Sequence, residues 1–382
     1  MKQIVCLATS PWYPIPTRKQ QVMSRIPDAE ILYFDPSVTY AAPIKDKTAA
    51  PQLKRYKEPG VKPQENITVY ALPPVLPLFN KNRAINRLNQ KRMARFVVQK
   101  MKEHGFEKPI LWVYSPVTVD LVDRIPHSAL VYDCVDRHSA YGGQMDPALV
   151  DAMELELAAK TDMTFATAQG LAERLREAQS ATRCIPNGAD FARFVQAAQP
   201  QPVPEDMMDI PKPIFGFVGA LQTCIAYGYI AHAAKLHPEW SFVLIGNEKP
   251  GADLSELRTL PNVHFLGLKK NEELPRYMAQ FDACLNLFVS GDLSKDVSPL
   301  KFYEYLATGK PIVTTAQPEQ VLFFGPLIHI AADEAEFVEC CEQALADTDP
   351  QRALERIAAG RDCSWDSRVA QICQILEQKG IF

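Results

Sequence analysis

Ser298-Pro-Leu-Lys-Phe-Tyr-Glu-Tyr-Leu-Ala-Thr-Gly309-Lys-Pro311 is the stretch that most constrains the fold, because both of its ends carry helix signals. Ser298 can cap a helix N-terminus, and Pro299 suits the first turn, where its missing N–H costs nothing. Gly309 can adopt the left-handed conformation that ends a helix, and Pro311 prevents the helix from continuing. The apolar run that follows predicts a strand, so the stretch forms a helix–strand unit.

Three polar side chains interrupt this otherwise apolar helix, and their spacing places them on one face. Lys301, Glu304 and Thr308 stand at positions i, i+3 and i+7. A helix N-terminus attracts anions through its free N–H groups and its dipole. A phosphate at the helix start, with Lys301 beside it and Glu304 one turn deeper, fits a nucleotide-sugar site. The alternative interpretation is an exposed Lys–Glu pair on a surface helix.

Length and composition indicate a two-domain globular protein. A single core stops growing near about 250–300 residues, and this chain has 382. Its net charge of -4 disfavours nucleic acid as a partner. Nine scattered cysteines without Cys-x-x-Cys spacing favour a reducing cytoplasm and no metal site. Signal-peptide and membrane-span patterns are absent from the sequence, so we expect a cytoplasmic protein, or one peripheral on the inner face of the cell membrane.

Short β-branched or aromatic runs alternate with helical patterns along the whole chain. Predicted strands of the first half cover residues 4–8, 31–34, 68–71, 110–114, 129–134, 163–166 and 183–185. Those of the second half cover residues 214–218, 241–245, 263–266, 283–288, 311–314 and 327–330. Apolar strands between helices indicate parallel sheets covered on both faces. The predicted fold class is therefore α/β, with two tandem Rossmann-like, doubly wound domains facing a ligand cleft.

The predicted boundary between the domains is residues 196–213, whose polar and proline-rich composition has no periodicity and is typical of a linker. The N-terminal domain then covers residues 1–195 and the C-terminal domain residues 214–363. Residues 364–382 predict a final helix with apolar side chains at core spacing. We expect this helix to pack back on the N-terminal domain.

A basic amphipathic segment occupies residues 81–102. It contains no acidic residue and eight basic ones, namely Lys81, Arg83, Arg87, Lys91, Arg92, Arg95, Lys100 and Lys102. An apolar loop with several prolines, residues 72–79, precedes it. A basic amphipathic helix beside an apolar loop is typical of contact with an anionic membrane surface. The alternative is a Rossmann-domain helix whose outer face happens to be basic.

Polar residues also cluster where the predicted strand 129–134 ends, in the sequence Asp133-Cys-Val-Asp136-Arg-His138. Asp136 or His138 can accept a proton from a hydroxyl near neutral pH, whereas Asp133 is better suited to anchoring the turn. The alternative is that both aspartates bond local backbone N–H groups. The segment is therefore a candidate catalytic site.

Glycines follow two predicted strands of the second half, Gly219 after strand 214–218 and Gly267 after strand 263–266. Either glycine permits close approach of a ligand. Neither belongs to a complete Gly-x-Gly-x-x-Gly fingerprint, so no dinucleotide cofactor is expected. The chain also has no Gly-x-Ser-x-Gly elbow, P-loop or His-Glu-x-x-His motif, which removes the usual support for hydrolase, kinase and metalloprotease functions.

The ordered set of motifs resembles GT-B glycosyltransferases, in particular those of bacterial teichuronic acid and exopolysaccharide biosynthesis. The motifs are Tyr132-Asp-Cys-Val-Asp136, Pro186-Asn-Gly-Ala-Asp190, Trp240-Ser-Phe-Val-Leu-Ile-Gly246, Pro261-Asn-Val-His-Phe-Leu-Gly267 and the stretch 298–311. The resemblance implies a metal-independent hexosyltransferase without a cofactor. It would move a sugar from a nucleotide diphosphate sugar to a saccharide or lipid-linked saccharide acceptor in cell-surface polysaccharide synthesis. A UDP-sugar is the first candidate for this donor.

The resemblance also implies roles for individual residues. In the C-terminal domain, Glu304 would hold the ribose hydroxyls of the donor, and the backbone at Gly267 and Leu268 would face the base. In the N-terminal domain, Asp136 would be the catalytic carboxylate, with His138 beside it. The remaining assignments are Ser298, Pro299, Leu300 and Lys301 around the diphosphate, Gly219 on the donor side, and Arg18 and Tyr141 on the acceptor side.

The chain departs from the family pattern around the phosphates. Many relatives carry an Arg and a Lys after the first strand of the C-terminal domain, whereas residues 221–227 here contain no base. Phosphate charge would then rest on Lys301, with Lys295 or Arg18 as further candidates. Two alternatives to a transferase follow, a nucleotide-sugar epimerase on the same fold and a catalytically silent nucleotide- or glycan-binding subunit. The stereochemical course, retaining or inverting, stays open.

Overall fold

The computed structural model describes residues 1–14, 16–140, 145–291 and 294–382. It divides into two compact units. The N-terminal unit comprises Met1–Pro186 and Val369–Phe382, and the C-terminal unit comprises Asn187–Arg368. Both units are built from a parallel-rich sheet with helices on its faces, so the predicted α/β fold class is confirmed.

The observed unit boundaries differ from the predicted ones. Residues 187–195 belong to the C-terminal unit rather than to the N-terminal domain. Residues 196–213 are not a free linker, because they contain part of the 3-10 turn Val195–Ala198 and the whole of the turn Glu205–Met207. Ala197 and Met207 are buried in the core of the C-terminal unit. Asp206 also pairs with Lys269 at 2.6 Å, and such scattered contacts leave no periodic pattern in the sequence.

The described residues of the N-terminal unit form an eight-stranded sheet in the order β3-β4-β2-β1-β5-β6-β7-β8. The strands are β1 Lys2–Leu7, β2 Ala29–Asp35, β3 Val61–Gln64, β4 Ile67–Ala71, β5 Ile110–Val113, β6 Ala129–Cys134, β7 Met163–Ala166 and β8 Arg183–Cys184. The helices are α1 Arg18–Met23, α2 Ala42–Lys45, α3 Arg83–Glu103, α4 Val119–Val122, α5 Pro147–Lys160 and α6 Gln169–Arg176. Strand β3 pairs antiparallel at the sheet edge and was not predicted, because its exposed Val-Lys-Pro-Gln sequence carries no apolar alternation.

The C-terminal unit has a six-stranded parallel sheet among its described residues, in the order β11-β10-β9-β12-β13-β14. Its strands are β9 Ile214–Val218, β10 Ser241–Ile245, β11 Val263–Gly267, β12 Ala283–Asn286, β13 Ile312–Thr315 and β14 His329–Ala331. Its helices are α7 Phe191–Phe194, α8 Tyr227–Leu236, α9 Leu274–Met278, α10 Leu300–Thr308, α11 Glu334–Ala346 and α12 Pro350–Asp362. A final helix, α13 Trp365–Gln378, begins in this unit and continues into the N-terminal unit.

The order of the strands locates the expected ligand sites. In the N-terminal unit, strands β2 to β4 lie on one side of β1 and strands β5 to β8 on its other side. In the C-terminal unit, β10 and β11 lie on one side of β9 and β12 to β14 on the other. Ligands of open α/β sheets bind outside the carboxyl ends of the strands at such switch points. The residues that follow β1, β5 and β6, and those that follow β9 and β12, are therefore the first places to look for a site.

Helix α13 completes the core of the N-terminal unit. Its Val369, Ile372 and Leu376 are buried in one cluster with Ile4 and Trp112 of the central strands. Burial of an aliphatic side chain of this size stabilises a fold by roughly 1.5–3 kcal/mol. The last residues of the chain are therefore part of the N-terminal unit.

Candidate functional site

Helix α10 carries the predicted polar stripe, and its two ends differ in how well the sequence predicted them. Gly309 ends the helix in the left-handed conformation with φ of 71°, as predicted. The predicted Ser298 cap is wrong. The N-cap position is Pro299, and the Ser298 Oγ instead accepts a hydrogen bond from the backbone N–H of Asn187 at 3.0 Å. The Asn187 amide also donates to the Ser298 carbonyl at 3.1 Å, so Ser298 anchors the Pro186–Asp190 motif to the start of α10.

Lys301 lies in the first turn of α10 and points at the end of strand β9. Its Nζ sits 4.2 Å from the centroid of the Phe217 ring. A Cβ built on Gly219 would lie 2.5 Å from the same Nζ, so only glycine leaves room for the ammonium at that position. A hydrogen bond of 2.8 Å from the Val218 N–H to the Tyr305 hydroxyl fixes the helix against the strand. The structure thus brings the predicted residues Lys301 and Gly219 together.

Glu304 lies one turn further along the same face of α10 and is half-buried, as Lys301 is. The interpretation of the two as an exposed surface pair therefore does not fit. Thr308, the third residue of the stripe, is buried and donates its hydroxyl to the Tyr305 carbonyl at 2.7 Å. The stripe is thus reduced to one ammonium and one carboxylate.

Neither of the two charges is neutralised by a direct contact among the described residues, although each attracts the other through space. No hydrogen bond or salt bridge reaches the Lys301 ammonium or the Glu304 carboxylate in the described part of the chain. Burial lowers the pKa of Lys301 to about 8 and raises the pKa of Glu304 to about 7, because each group loses hydration in its charged form. Half-buried charges without partners lower the stability of the fold, and such groups are common in ligand-binding sites.

A row of glycines borders this pair at the carboxyl ends of three adjacent strands. The Gly219 N–H donates to the Ile245 carbonyl at 2.8 Å, and the Gly246 N–H donates to the Gly267 carbonyl at 2.9 Å. Gly219 and Gly246 have φ of 151° and 153°, and a Cβ on Gly246 would lie 1.9 Å from the Gly219 carbonyl oxygen. A glycine therefore stands at the end of each of β9, β10 and β11, and Gly219 lies beside Lys301, so a ligand can approach the backbone closely there.

The other predicted donor residues surround this centre less closely. Leu268 follows β11 and is 69% exposed, and Leu300 begins α10 and is 41% exposed. Lys295 is exposed in the 3-10 turn Ser294–Asp296. No hydrogen bond or ion pair described for the chain joins Lys295 to α10, so its phosphate role stays a prediction.

Sequence reasoning missed Arg193, which lies on helix α7 beside α10. Arg193 forms a salt bridge of 3.2 Å with Asp190 and exerts a second attractive charge on Glu304 after that of Lys301. Asp190 ends the quoted Pro186–Asp190 motif, and Arg193 follows it at helical spacing. This i, i+3 spacing from Asp190 is the sequence signal that could have identified Arg193. Arg193 supplies a cation in the unit where residues 221–227 supply none.

The predicted catalytic residues of the N-terminal unit lie at the edge of a cavity of about 470 Å³. Asp136 follows β6 and is exposed, and His138 begins the 3-10 turn His138–Ala140 and is half-buried. Burial lowers the pKa of His138, while the charges of Glu154 and Asp136 act in the opposite direction. Other cavity residues follow β1, β2 and β5, so the cavity occupies the carboxyl ends of these strands, as the switch-point rule predicts.

Arg18 is placed differently from the prediction. It begins helix α1 rather than lying in a loop, and it is 3% exposed. Its Nε bonds both carboxylate oxygens of Asp133, at 2.9 and 3.0 Å, and its Nη1 donates to the Pro186 carbonyl at 3.1 Å. Asp133 is therefore an ion-pair partner and not the predicted turn anchor. Arg18 already has anionic and carbonyl partners, and Tyr141 lies outside the described residues.

The basic segment is helix α3, and its charges divide between paired and solvated ones. Arg83 pairs with Asp120 at 3.0 Å and Glu156 at 2.6 Å, and Lys100 pairs with Glu103 at 2.8 Å. Lys91 and Arg95 are exposed on the outer face. No helix in the described part of the chain is both long and apolar enough to cross a membrane. Contact with a membrane surface stays a prediction.

Comparison with known proteins agrees with the resemblance seen in the motifs. Residues 229–374 match the family described as Glycosyl transferase-like. TuaH of Bacillus subtilis (strain 168), provisionally named a teichuronic acid biosynthesis glycosyltransferase, is 25% identical over 283 residues, which cover 70% of this chain and 71% of TuaH.

Solved structures show the same architecture. An Escherichia coli trehalose-6-phosphate structure bound with UDP-2-fluoro glucose superposes with a TM-score of 0.71 at 13% identity and covers 100% of both chains. Anabaena Alr3699/HepE in complex with UDP gives a TM-score of 0.66 at 17% identity, covering 99% of this chain and 100% of that one. The GT-B resemblance is confirmed, and the comparisons together support a glycosyltransferase function.

Metal-binding chemistry has no cluster of candidate ligands in the described residues. No group of three or more His, Cys, Asp or Glu side chains has an arrangement that could hold a metal ion there. The positive charges described near Glu304 come instead from Lys301 and Arg193.

The uncompensated Glu304 carboxylate makes a stability prediction with a defined sign. Its folded pKa of about 7 exceeds the ordinary 4.5, so the penalty is absent below pH 4.5, grows as pH rises and is complete above pH 7. Glu304→Gln should raise the free energy of unfolding by about 1–2 kcal/mol at pH 8 and leave it unchanged at pH 4, allowing for partial exposure. Urea denaturation followed by circular dichroism measures this, with the exposed Glu339→Gln as the control. Equal stability of wild type and variant at pH 8 would contradict it.

Proposed function

We propose that the chain transfers a sugar from a UDP-sugar to a hydroxyl of a saccharide or lipid-linked saccharide, in the synthesis of a cell-surface polysaccharide. The observation that carries the proposal is that Lys301 and Glu304 are half-buried without hydrogen-bond or salt-bridge partners among the described residues, and that Gly219 at the end of β9 lies beside Lys301. A ligand with an anion and free hydroxyls can compensate both charges at once. Supporting comparisons are the Anabaena protein, solved with UDP and with UDP and glucose, and the name of the Bacillus relative.

The geometry of α10 suggests how the donor binds. The diphosphate lies at the start of the helix, where the Lys301 ammonium and the helix dipole favour negative charge. The ribose hydroxyls donate to Glu304, one turn deeper. The absence of a side chain at Gly219 leaves room for the pyrophosphate, and the base lies against the backbone of Gly267 and Leu268. Ser298 supports this site indirectly, because its hydroxyl is bonded to Asn187.

The proposed reaction needs one proton acceptor and stabilisation of the leaving group. Asp136 takes the proton of the acceptor hydroxyl as the hydroxyl oxygen attacks the anomeric carbon of the donor. The bond from that carbon to the diphosphate oxygen breaks, and UDP leaves with the electron pair. Lys301 and the helix dipole offset the charge that develops on the diphosphate, a task that other enzymes assign to a metal ion. The reaction consumes no redox cofactor.

We also propose that the enzyme works in the cytoplasm and contacts the inner face of the cell membrane through helix α3. Exposed Lys91 and Arg95 face solvent on this helix, and Leu76 and Leu78 of the preceding loop are 40% and 60% exposed. Each basic residue near an anionic lipid surface contributes about 1 kcal/mol.

Flotation with vesicles tests this contact. The wild type should float with vesicles that contain phosphatidylglycerol and not with neutral phosphatidylcholine vesicles. The double reversal Lys91→Glu and Arg95→Glu should abolish flotation. The control is Lys249→Glu with Lys270→Glu, which makes the same change in net charge at exposed sites of the C-terminal unit. Equal loss in both double variants, or no flotation of the wild type, would rule out the α3 contact.

Donor binding should depend on pH in a way that follows from the two pKa values. Glu304 is ionised above about pH 7 and Lys301 is protonated below about pH 8, so affinity for UDP-glucose should peak between these values. UDP-glucose is the titrant because its diphosphate diester does not titrate there. At pH 7.5, Glu304→Gln and Lys301→Met should each weaken binding by about ten- to a hundredfold.

Calorimetry between pH 6 and pH 8.8 measures these affinities. Glu304→Gln should remove the loss of affinity on the acidic side, and Lys301→Met the loss on the alkaline side. Glu339→Gln serves again as the control. A flat profile for the wild type, or a profile that both site variants retain, would contradict the assignment of Glu304 and Lys301 to the donor.

Asp136 should matter for transfer and not for donor binding. Asp136→Asn should slow UDP release from a UDP-sugar in the presence of a membrane lipid extract by about a hundredfold or more, because general-base catalysis contributes that much. Its affinity for UDP-glucose should stay within about twofold of the wild type. Glu107→Gln removes an exposed carboxylate of the same unit as a control. Turnover of the donor without any acceptor would favour the epimerase alternative, and binding without turnover would favour the silent subunit.

A further inference from the structure

Apolar side chains form a large part of the wall of the cavity in the N-terminal unit. Its walls include Leu72, Val75, Phe79, Met93, Val117 and Leu121. Its volume of about 470 Å³ falls within the range of about 300–1,000 Å³ that is typical of small-molecule sites. Three of these side chains come from the loop after β4, and Met93 comes from α3, the helix that also carries the basic outer face.

One end of the cavity carries an ammonium group that the protein does not neutralise by direct contact. Lys19 lines the cavity and is only 8% exposed. Its Nζ lies 5.6 Å from the centroid of the Tyr114 ring, and no hydrogen bond or salt bridge to it occurs among the described residues. Burial lowers the pKa of Lys19, and the charges of Asp136 and Asp133 raise it.

The neighbouring residue shows that Lys19 is not a counter-ion for the nearby buried carboxylate. Asp133 is fully buried, and both of its oxygens are bonded by the Nε of Arg18. A buried polar group of the cavity also lacks a partner. Gln90 donates its amide to Asn86 at 3.1 Å, while its Oε1 is buried without a hydrogen bond. The cavity lining thus combines apolar side chains with polar ones, among them Lys19, Gln90, Asp136 and His138. Of these polar groups, the Lys19 ammonium and the Gln90 Oε1 have no hydrogen bond within the described part of the chain, so both can bind a ligand.

We propose that this cavity binds an amphipathic anion, in which an apolar chain lies along the apolar walls and a phosphate group binds Lys19. The apolar walls argue against a free saccharide, and the unpartnered ammonium argues against a neutral lipid. This proposal extends the proposed function. It rests on that function only where it identifies the ligand as the acceptor. The acceptor class is then a glycan carried on a lipid phosphate.

Three probes separate the parts of this chemistry. Octyl phosphate has the chain and the anion, octyl glucoside has the chain alone, and inorganic phosphate has the anion alone. Calorimetry below micelle-forming concentrations should show that octyl phosphate binds about tenfold tighter than octyl glucoside, because a charge-assisted contact adds about that factor. Inorganic phosphate should bind more weakly than either.

Variants assign the binding to the cavity. Lys19→Met should remove the preference for octyl phosphate over octyl glucoside, and Lys19→Arg should retain it. Val117→Trp, which fills the apolar wall at a half-buried position, should weaken both alkyl probes by about tenfold or more. UDP-glucose affinity is measured for every variant and should not change, which also reports that the protein is folded.

The outcomes distinguish this inference from the proposed function. Equal affinity for the two alkyl probes, a preference that survives Lys19→Met, or UDP-glucose binding without any alkyl binding would overturn the inference and leave the donor assignment intact. Octyl phosphate binding that depends on Lys19, together with no binding of UDP-glucose, would support the cavity and contradict the proposed function. Tight binding of inorganic phosphate alone would show an anion site without an apolar ligand and would also overturn the inference.

Discussion

The C-terminal unit keeps an ammonium and a carboxylate partly out of water on one helix face without joining them in a salt bridge. Lys301 and Glu304 therefore depend on the surrounding structure to hold charges that would be more stable in solvent. A site of this kind needs a rigid support, because a flexible helix would let the two groups turn outward or pair with each other. The packing of α10 supplies that support.

Helix α10 is held along its length by contacts that have no role in ligand binding. At its C-terminal end, the buried Arg356 donates to the Gly309 carbonyl at 2.9 Å and pairs with Asp347 at 2.8 Å. A cation at this end also complements the helix dipole. A Cβ on Gly360 would lie 2.6 Å from the Ala307 nitrogen, so α12 packs on α10 too closely there for a larger residue. The N-terminal end is held by the bonds between Ser298 and Asn187.

The N-terminal unit uses two adjacent basic residues in opposite ways. Arg18 is buried, and it is held by a bond from its Nε to Asp133 and a bond from its Nη1 to the Pro186 carbonyl. Lys19 is buried against Tyr114 and the cavity and has no direct anionic partner in the described residues. The sequence shows only two consecutive cations. Their different roles arise from the direction in which helix α1 points each side chain.

The sequence predicts local features of the site well and its tertiary contacts poorly. Gly309 and the spacing of Lys301 and Glu304 are local, so their helix face and its end were predictable. The Ser298 cap failed because Asn187, far away in the sequence, takes the hydroxyl, and nothing in a helix signal reports such a partner. Residues 196–213 and strand β3 were missed because their structure depends on a few buried contacts or on edge pairing. Lys19 and Arg193 gain their significance from burial and from neighbours on other elements.

A crystal structure of the chain with UDP-glucose tests the central claim most directly. The account predicts that the ribose hydroxyls lie within hydrogen-bonding distance of the Glu304 carboxylate and that a diphosphate oxygen lies within the same distance of the Lys301 Nζ. It also predicts that the pyrophosphate lies against Gly219. A nucleotide bound elsewhere, or one bound at this edge with Glu304 and Lys301 still without contacts, would contradict the account.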